Sequence, residues 1–362
     1  MNNFFTYYMP TKIVYEVGSI NQIDHFIDGR KTLLVTSSGF VKRGLIEKLN
    51  KLTGDIVHVV STVKSHPEFK DLEIIYNEIR NIDYELILAI GGGSVLDASK
   101  LLSVYNEDKT FSFVDRVVRG ILPREGYKLI PRISVPTTSG TSSEITPWAS
   151  IWDMEEKKKY SLFLPDLYSQ VAVYDPNLTL SVPKDITVQT GLDALSHALE
   201  SIWNKYHNPI STNFAITASL NVLEYLPKLL NNNSLEYRER MMFASMNAGL
   251  AFSNTRTAIA HGISYYLTAN YGIPHGIACS FTLPSIVNAI KGKYAHVDKA
   301  FEIIFKKYDL NSFFNELNIS TNLSDYILNN KSLLDLIKGL GDNERANNSL
   351  ISINELFDRF LC

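Results

Sequence analysis

The chain has 362 residues, of which 45% are hydrophobic and 20% charged, and its formal net charge is −3. This length is too great for one ordinary hydrophobic core, so two domains are predicted. The lack of a basic surplus argues against nucleic acid or an anionic membrane as a partner. No signal peptide or membrane span is predicted, because no apolar stretch is long enough. Two cysteines, Cys279 and Cys362, cannot build a disulfide framework, so we expect a cytoplasmic protein.

Short apolar strands alternate with helical patterns in the first half of the chain. The predicted strands are 31–36, 56–60, 85–90, 129–136 and 171–175, and the predicted helices are 42–52, 69–81 and one that ends at residue 103. Continuous apolar strands that alternate with helices are typical of a parallel sheet covered on both faces.

The pattern changes after about residue 183, where strand signals nearly vanish. Helical periodicity covers 185–204, 211–230, 236–252 and 255–270, and the tail from 299 is also helical. We therefore predict an α/β dinucleotide-binding domain at 1–180 and an all-helical domain, which binds metal and substrate, at 181–362.

A glycine-rich loop follows the third predicted strand, in the sequence LILAIGGGSVLDASK (86–100). Gly91, Gly92 and Gly93 let backbone amides approach a phosphate closely, and Ser94 can cap the helix that begins there. This is neither a Walker loop nor G-x-G-x-x-G, and a tight turn without a ligand is the alternative. Asp97, in the first helical turn, is a candidate for cofactor binding, although the helix dipole explains it equally well.

A second polar loop, PTTSGTSSEIT (136–146), follows the next long strand. Thr137, Thr138 and Thr141 supply hydroxyl groups at the carboxyl end of a predicted parallel strand, where α/β sheets bind ligands. Two such loops on neighbouring strands predict a bound dinucleotide.

The segment GLDALSHALE (191–200) places Asp193 and His197 four residues apart on one side of an apolar helix. The pair can satisfy itself by a hydrogen bond, or it can bind metal. His261 and His275 have small neighbours that leave room around each imidazole. One carboxylate and three imidazoles form a plausible ligand set for Fe(II) or Zn(II).

Together these motifs, with DPNLTLSVP (175–183) and PHG (274–276), resemble the iron-dependent alcohol dehydrogenase family. The resemblance implies a dehydroquinate synthase-like architecture, NAD(P)H-linked reduction of a small aldehyde, and a homodimer. It implies one divalent metal, expected to be iron with zinc as the alternative. The residues that it assigns are Asp193, His197, His261 and His275 to the metal, Gly91–Ser94 to the pyrophosphate, Thr137, Thr138 and Thr141 to the nicotinamide side, and Lys159 to the cofactor ribose.

One departure from the family pattern bears on the cofactor. Ser37 stands where many NAD-specific members carry an aspartate for the adenosine ribose. Without that carboxylate a 2′-phosphate is not repelled, and Lys42 and Arg43 follow closely. We expect NADPH, or use of both cofactors; the alternative is that Ser37 holds the ribose of NADH.

Two further departures bear on the substrate. Arg256 replaces a glycine of many members, and Tyr265 replaces a histidine thought to act in proton transfer. We expect Arg256, with Asn254 or Ser264, to hold an anionic substrate group; a structural salt bridge is the alternative for Arg256. We expect the product proton to come from Tyr265, from water or from a ribose hydroxyl. The chain is similar here to the phosphonoacetaldehyde reductase branch, whose product is 2-hydroxyethylphosphonate. The rival functions are a dehydrogenase for another short-chain alcohol, a dehydroquinate synthase-like lyase, and a binding protein without turnover.

Overall fold

The computed structural model describes residues 4–122, 125–156, 158–327, 330–341 and 343–361, so Cys362 lies outside the described residues. The chain divides into two compact units. The first unit comprises residues 10–138 and 142–179, and the second comprises 139–141, the chain from 180 onward, and the N-terminal residues up to 9.

The first unit is built on a six-stranded sheet in which every pair of neighbours is parallel. The strands of the described chain are β1 (Lys12–Tyr15), β2 (Thr32–Thr36), β3 (Ile56–Val60), β4 (Leu86–Gly91), β5 (Val104–Tyr105), β6 (Lys128–Leu129), β7 (Arg132–Pro136), β8 (Trp148–Asp153), β9 (Lys158–Phe163) and β10 (Val171–Tyr174). The main sheet has the order β1-β10-β7-β4-β2-β3, and β5–β6 and β8–β9 form two small antiparallel pairs.

Helices cover both faces of this sheet, as the continuous apolar runs in β2 and β4 require. The helices are α1 (Ile23–Ile27), α2 (Ser38–Lys42), α3 (Leu45–Asn50), α4 (Phe69–Ile79), α5 (Gly93–Leu102) and α6 (Phe111–Val118). Leu33 and Ile87 belong to the apolar cluster on one face, and Leu34 and Leu88 to the cluster on the other. The predicted α/β class with a covered parallel sheet is confirmed.

Several elements differ from the sequence prediction in the first unit. The predicted helix 42–52 is two short helices, because Gly44 at φ 80° separates α2 from α3. The predicted strand 129–136 is β6 and β7, which lie in different sheets. Strand β1 and the β8–β9 hairpin were not predicted.

The second unit is helical. Its helices are α7 (Lys184–Ile202), α8 (Pro209–Asn231), α9 (Leu235–Thr255), α10 (Ile259–Tyr271), α11 (His275–Ala278), α12 (Leu283–Ile290), α13 (Ala295–Ile304), α14 (Leu310–Glu316), α15 (Asn330–Gly341) and α16 (Ile353–Leu361). Leu192, Leu195 and Leu199 of α7 are fully buried in a core that these helices share. No helix within the described ranges is long and apolar enough to cross a membrane.

Two short segments from the first half of the sequence pack within the helical unit. The Tyr7 hydroxyl donates to the Leu250 carbonyl oxygen at 2.8 Å. Gly140 lies so close to α7 that a Cβ there would come within 2.5 Å of the Thr190 carbonyl oxygen. Glycine is therefore required where this polar loop meets the helix that carries Asp193 and His197.

Candidate functional site

Three of the predicted site residues, all histidines, lie around one carboxylate oxygen of a fourth, Asp193. Asp193 Oδ1 lies 3.3 Å from His261 Nε2, 3.7 Å from His197 Nε2 and 3.7 Å from His275 Nε2. The 3.7 Å separations are too long for hydrogen bonds. The imidazoles of His197 and His275 therefore face the Asp193 carboxylate without forming hydrogen bonds to this oxygen. Asp193, His197 and His261 are buried, whereas about a quarter of the His275 side chain is exposed.

One group of possible metal-donor residues in the described chain differs from the predicted ligand set by one member. Ligand atoms of Asp193, His261, His275 and Cys279 all lie within 4.8 Å of one another. His197 lies beside this group through its 3.7 Å approach to Asp193. A carboxylate with several imidazoles fits a divalent transition metal such as Fe(II) or Zn(II), so these residues fit the expected metal. The role of His197 as a ligand stays a prediction.

The charges in this cluster are set by competition between burial and opposite charge. Burial disfavours the Asp193 carboxylate, but the imidazoles of His197, His261 and His275 outweigh it and hold the pKa of Asp193 well below its usual range. Burial lowers the pKa of His197 to about 4, so this imidazole is neutral and able to coordinate. Burial also opposes protonation of His261, but Glu200 and Asp193 outweigh it and raise the pKa of His261 to about 9.

Glu200 orients His261, a role that was not predicted from the sequence. Its Oε2 lies 2.5 Å from His261 Nδ1, and its Oε1 accepts hydrogen bonds from the backbone N–H groups of Ala260 and His261 at 2.6 and 3.2 Å. A carboxylate on the distal nitrogen of a ligating histidine fixes its tautomer and orientation. The signal was present in the quoted helix, because Glu200 follows Asp193 by seven residues and shares its face.

The other two histidines are held by rings and hydroxyl groups. His197 stacks on Phe252 with ring centres 3.9 Å apart and 4° between the planes. Ser264 Oγ lies 3.4 Å from His275 Nδ1 and donates to the His261 carbonyl oxygen at 2.7 Å. The predicted proton donor, Tyr265, lies parallel to the His275 ring at a centre distance of 6.0 Å. The structure thus places Tyr265 beside the predicted metal ligands.

The glycine of the PHG motif fixes where His275 sits. A Cβ at Gly276 would lie 1.8 Å from the Gln189 carbonyl oxygen of α7, which real Cβ atoms cannot do. Only glycine lets the first turn of α11 approach α7 this closely. The approach brings His275 to Asp193.

The two predicted cofactor loops are neighbours within the first unit. Strands β4 and β7 pair through Gly91 and Pro136, and the Thr137 N–H donates to the Gly91 carbonyl oxygen at 3.0 Å. A Cβ at Gly92 would lie 3.4 Å from the Thr138 side chain, while Gly93 and Ser94 open α5. The adjacent placement that we predicted from the two strands is therefore present; Thr141 lies in the segment that packs within the helical unit.

Asp97 is occupied by the protein itself. Its Oδ1 accepts from Ser143 Oγ at 2.6 Å and its Oδ2 from the Ser150 N–H at 2.9 Å. Nearby, Lys100 Nζ donates to the Trp148 carbonyl oxygen at 2.6 Å, and burial lowers the pKa of Lys100 to about 7. Asp97 and Lys100 thus connect the polar loop and β8 to α5 by hydrogen bonds. A contact between Asp97 and the cofactor stays a prediction.

A basic side chain, that of Arg43, lies near the predicted cofactor contact Ser37. A Cβ at Gly39 would lie 3.3 Å from an Arg43 guanidinium nitrogen and 3.8 Å from Ser37 Oγ, so Arg43 and Ser37 are close.

Near the glycine loop, Lys159 Nζ lies 5.6 Å from the Trp152 ring centre, and Trp152 packs edge-on against His66. The His66 N–H donates to Ser94 Oγ at 3.4 Å. His66 therefore links Ser94 to the surroundings of Lys159.

Arg256 caps α9 rather than lying within a helix. Its φ of 66° and ψ of 178° belong to a region that is essentially restricted to glycine. Its guanidinium forms an ion pair with Glu344, whose side chain is 74% exposed. The predicted helix 255–270 accordingly begins at Ile259. The Asn254 amide forms hydrogen bonds with both backbone groups of Tyr8 at 2.8 and 3.1 Å, and a role of Asn254 in substrate binding stays a prediction.

Comparison with known proteins covers both units. The iron-containing alcohol dehydrogenase model matches residues 10–176, and the model for the C-terminal part of that family matches residues 187–338. The chain is 32% identical to the NADPH-dependent butanol dehydrogenase of Clostridium saccharobutylicum, over 77% of this chain and 72% of that one. It is 30% identical to the sulfoacetaldehyde reductase of Bilophila wadsworthia, over 89% and 88%. The crystal structure of sulfoacetaldehyde reductase from Bifidobacterium kashiwanohense in complex with NAD+ superposes with a TM-score of 0.86 at 28% identity, covering 99% and 98%.

Proposed function

This chain belongs to the iron-containing alcohol dehydrogenase family, and on that premise we propose that it reduces a short aldehyde with an anionic group. The substrate we propose first is phosphonoacetaldehyde, which would give 2-hydroxyethylphosphonate. Sulfoacetaldehyde has the same aldehyde with a sulfonate in place of the phosphonate, and the similarity to sulfoacetaldehyde reductases supports this class of substrate. We propose that the enzyme acts as a homodimer.

The observation that carries the proposal is the backbone of Arg256. A non-glycine residue at φ 66° and ψ 178° costs about 1–3 kcal/mol and persists only where its surroundings hold it. Here Asn204 Nδ2 and Thr255 Oγ1 both donate to the Arg256 carbonyl oxygen, at 3.2 and 3.0 Å. Arg256 thus holds a backbone conformation that favours glycine, five residues before His261. We infer that its guanidinium has a binding role that offsets this strain.

The ion pair with Glu344 is compatible with a role in substrate binding. Both side chains are substantially exposed, at 38% for Arg256 and 74% for Glu344. An exposed pair of this kind contributes about 0–1 kcal/mol, so an anionic ligand can replace the carboxylate at little cost. A phosphonate or sulfonate would accept two parallel hydrogen bonds from the guanidinium.

The metal would be held by Asp193, His261 and His275, with His197 as the fourth predicted ligand. When bound, it would supply Lewis acidity to the aldehyde oxygen and stabilise the developing negative charge. Glu200 keeps His261 Nε2 directed at this site, and Phe252 holds the plane of His197. Tyr265 stacks beside His275. We propose that the proton on Tyr265 Oη passes to the product oxygen.

The nicotinamide cofactor would supply the hydride, and the chain's own residues would hold it. Gly91, Gly92, Gly93 and Ser94 leave the first turn of α5 open to a pyrophosphate. We propose NADPH in preference to NADH, because Arg43 lies beside Ser37 and would pair with a 2′-phosphate. The NADPH-dependent butanol dehydrogenase relative supports this preference, whereas the solved relative with NAD+ supports dual use.

The test is a turnover panel with purified enzyme. Phosphonoacetaldehyde, sulfoacetaldehyde, a carboxylate-bearing aldehyde and neutral butanal are each offered with NADPH and with NADH, before and after chelation. We expect the highest kcat/KM for the anionic aldehydes with NADPH, and reversible loss of turnover on chelation.

Other results would favour the rival functions. Equal kcat/KM for butanal and the anionic aldehydes would favour a dehydrogenase for neutral short-chain alcohols. Activity without net consumption of NADPH or NADH would favour a lyase. Turnover that survives complete metal removal would contradict the metal-dependent mechanism.

A further inference from the structure

The hydroxyl group of Ser264 lies between two of the predicted metal ligands. Ser264 follows His261 by one turn of α10 and is fully buried. Its Oγ donates to the His261 carbonyl oxygen at 2.7 Å and lies 3.4 Å from Nδ1 of His275, the first residue of α11. The hydroxyl therefore connects the backbone of one histidine to the ring of the other.

The direction of these two contacts follows from the single proton of the hydroxyl group. A serine hydroxyl donates one hydrogen bond and can accept others. Because the short contact to the His261 carbonyl oxygen uses the Ser264 proton, Ser264 Oγ can only accept from His275 Nδ1. A neutral His275 ring then carries its proton on Nδ1, which leaves the lone pair on Nε2. Nε2 is the nitrogen that faces Asp193 Oδ1, at 3.7 Å.

His275 is the most exposed of the three histidines of the predicted site. Its side chain is 26% exposed, against 7% for His197 and 2% for His261. The ring of His197 is held by its stack on Phe252, and the Nδ1 of His261 lies 2.5 Å from the Glu200 carboxylate. The serine hydroxyl is the corresponding partner for the third ring.

We propose that Ser264 is a positioning residue of the metal site, which fixes the tautomer and orientation of His275 so that Nε2 is presented to the metal. This inference rests on the metal dependence in the proposed function. Coordination through Nε2 leaves Nδ1 protonated, and Ser264 Oγ lies where that N–H needs an acceptor. The 3.4 Å separation is long for a hydrogen bond, and it should shorten when the metal fixes the ring from its other side. The alternative is the role expected from the sequence, in which Ser264 holds the anionic group of the substrate.

The first measurement is the zinc affinity of full-length Ser264→Ala, by competition with a chromophoric chelator. Since a neutral hydroxyl is a weaker partner than a carboxylate, we expect a loss of about 10-fold, the lower end of the range for such partners. Ser219→Ala is the matched control, because Ser219 is an equally buried helical serine whose hydroxyl donates to the Ala215 carbonyl oxygen at 2.8 Å. Its zinc affinity should equal that of wild type, although both variants lose a buried hydrogen bond within a helix.

Proton NMR of the zinc-loaded protein with isotope-labelled histidine reports the contact itself. Wild type and Ser219→Ala should show a protected downfield resonance from His275 Nδ1–H. In Ser264→Ala this resonance should disappear, because the partly exposed ring then exchanges its proton with water. The Nδ1–H of His261, which faces Glu200, is an internal reference that should remain in all three proteins.

The outcomes separate this inference from the proposed function. Equal losses of zinc affinity in Ser264→Ala and Ser219→Ala would overturn the positioning role, as would zinc-loaded wild type that lacks the His275 resonance; the metal site would stand in both cases. An unchanged zinc affinity in Ser264→Ala, with a lost preference for anionic over neutral aldehydes, would assign this residue to the substrate instead. Failure of wild type to bind zinc or iron overturns the metal site and this inference with it. If Ser264→Ala does not fold, the wild-type spectrum alone decides.

Discussion

Glu200 Oε2 lies 2.5 Å from Nδ1 of His261, while Nε2 of the same ring points to Asp193 Oδ1 at 3.3 Å. The second oxygen of Glu200 accepts from the backbone N–H groups of Ala260 and His261. One buried carboxylate therefore fixes both the ring and the backbone of a predicted metal ligand. Glu200 is a positioning residue, and its removal should lower the affinity of the site for metal.

Glu200→Gln should weaken metal binding without unfolding the chain. The amide keeps the size and one acceptor oxygen of the carboxylate, but it removes the negative charge that makes His261 a stronger donor. Partners of this kind typically change metal affinity by about 10–100-fold. Zinc affinity is measured by titration against a chromophoric chelator, and folding by circular dichroism.

The matched control for this prediction is Glu224→Gln on α8. Glu224 also accepts from several groups, but these are Lys228, Lys307 and Tyr308. Zinc affinity should not change in this variant. An unchanged zinc affinity in Glu200→Gln would show that His261 does not need the carboxylate.

Arg256→Gly should make the protein more stable while it weakens binding of an anionic aldehyde. Glycine adopts φ 66° and ψ 178° freely, so the free energy of unfolding should rise by up to ~1–3 kcal/mol. Loss of hydrogen bonds to a charged group, at about 1.5–3 kcal/mol, should raise KM for the anionic aldehyde by about 10–150-fold. Chemical denaturation and steady-state kinetics give the two quantities.

Two comparisons isolate the guanidinium from the backbone. Arg256→Ala removes the charge but keeps the strain, so its KM should match that of Arg256→Gly while its stability stays lower. Glu344→Gln removes the exposed partner and should leave the preference for anionic aldehydes intact. An equal rise of KM for a neutral aldehyde of similar size would contradict an anion-binding role.

Gly276→Ala should damage both folding and metal binding. Its Cβ would lie 1.8 Å from the Gln189 carbonyl oxygen, so α11 must move away from α7 and carry His275 with it. Forced overpacking of this kind costs about 1–3 kcal/mol. We expect a lower free energy of unfolding and a lower zinc affinity, measured on the same preparation.

Gly339→Ala is the control for the glycine at 276. Gly339 lies in α15, and a Cβ there would meet nothing within 4 Å. Alanine should be neutral or stabilise the helix by up to ~1 kcal/mol. Equal effects of the two substitutions would mean that the close approach of Gly276 to α7 is unimportant.

The alternation of apolar strands and helices predicted the parallel sheet because buried strands carry continuous apolar runs, as in β2 and β4. Strand β1 escaped prediction because it lies at the sheet edge, is only four residues long and is partly exposed. The hairpin β8–β9 escaped because its strands mix lysine, serine and aromatic residues, which give no clear apolar run.

The candidate site was predictable only where residue type and local spacing carry the chemistry. Asp193 and His197 share a helical face, so their pairing is a local pattern. The contacts of Glu200 with His261 and of Cys279 with Asp193 join residues 61 and 86 positions apart. No periodicity reports such contacts, because they depend on how α7, α10 and α11 pack.

Glu144 should make stability fall as pH rises between about 4.5 and 7. This residue is buried in the short helix Ser143–Ile145, and burial raises its pKa from 4.5 to about 7. The folded chain therefore binds more protons than the unfolded chain in that window, so the stabilising contribution is complete below pH 4.5 and lost as pH passes 7. Glu144→Gln should remove this slope. At pH 8 the free energy of unfolding of this variant should exceed that of wild type by on the order of 2–4 kcal/mol.

Glu224 should have the opposite effect on the pH dependence of stability, and Glu224→Gln tests this in the same assay. Hydrogen bonds from Lys228, Tyr308 and Lys307 lower the pKa of Glu224 to about 2, below its unfolded value of 4.5. Its contribution is present above pH 4.5 and lost as pH falls toward 2, so this variant should be less stable than wild type only above that window. Free energies of unfolding from urea titrations between pH 3 and pH 8 give both profiles. If Glu144→Gln keeps the wild-type slope between pH 4.5 and 7, another group carries the proton, and the buried carboxylate is ionised throughout.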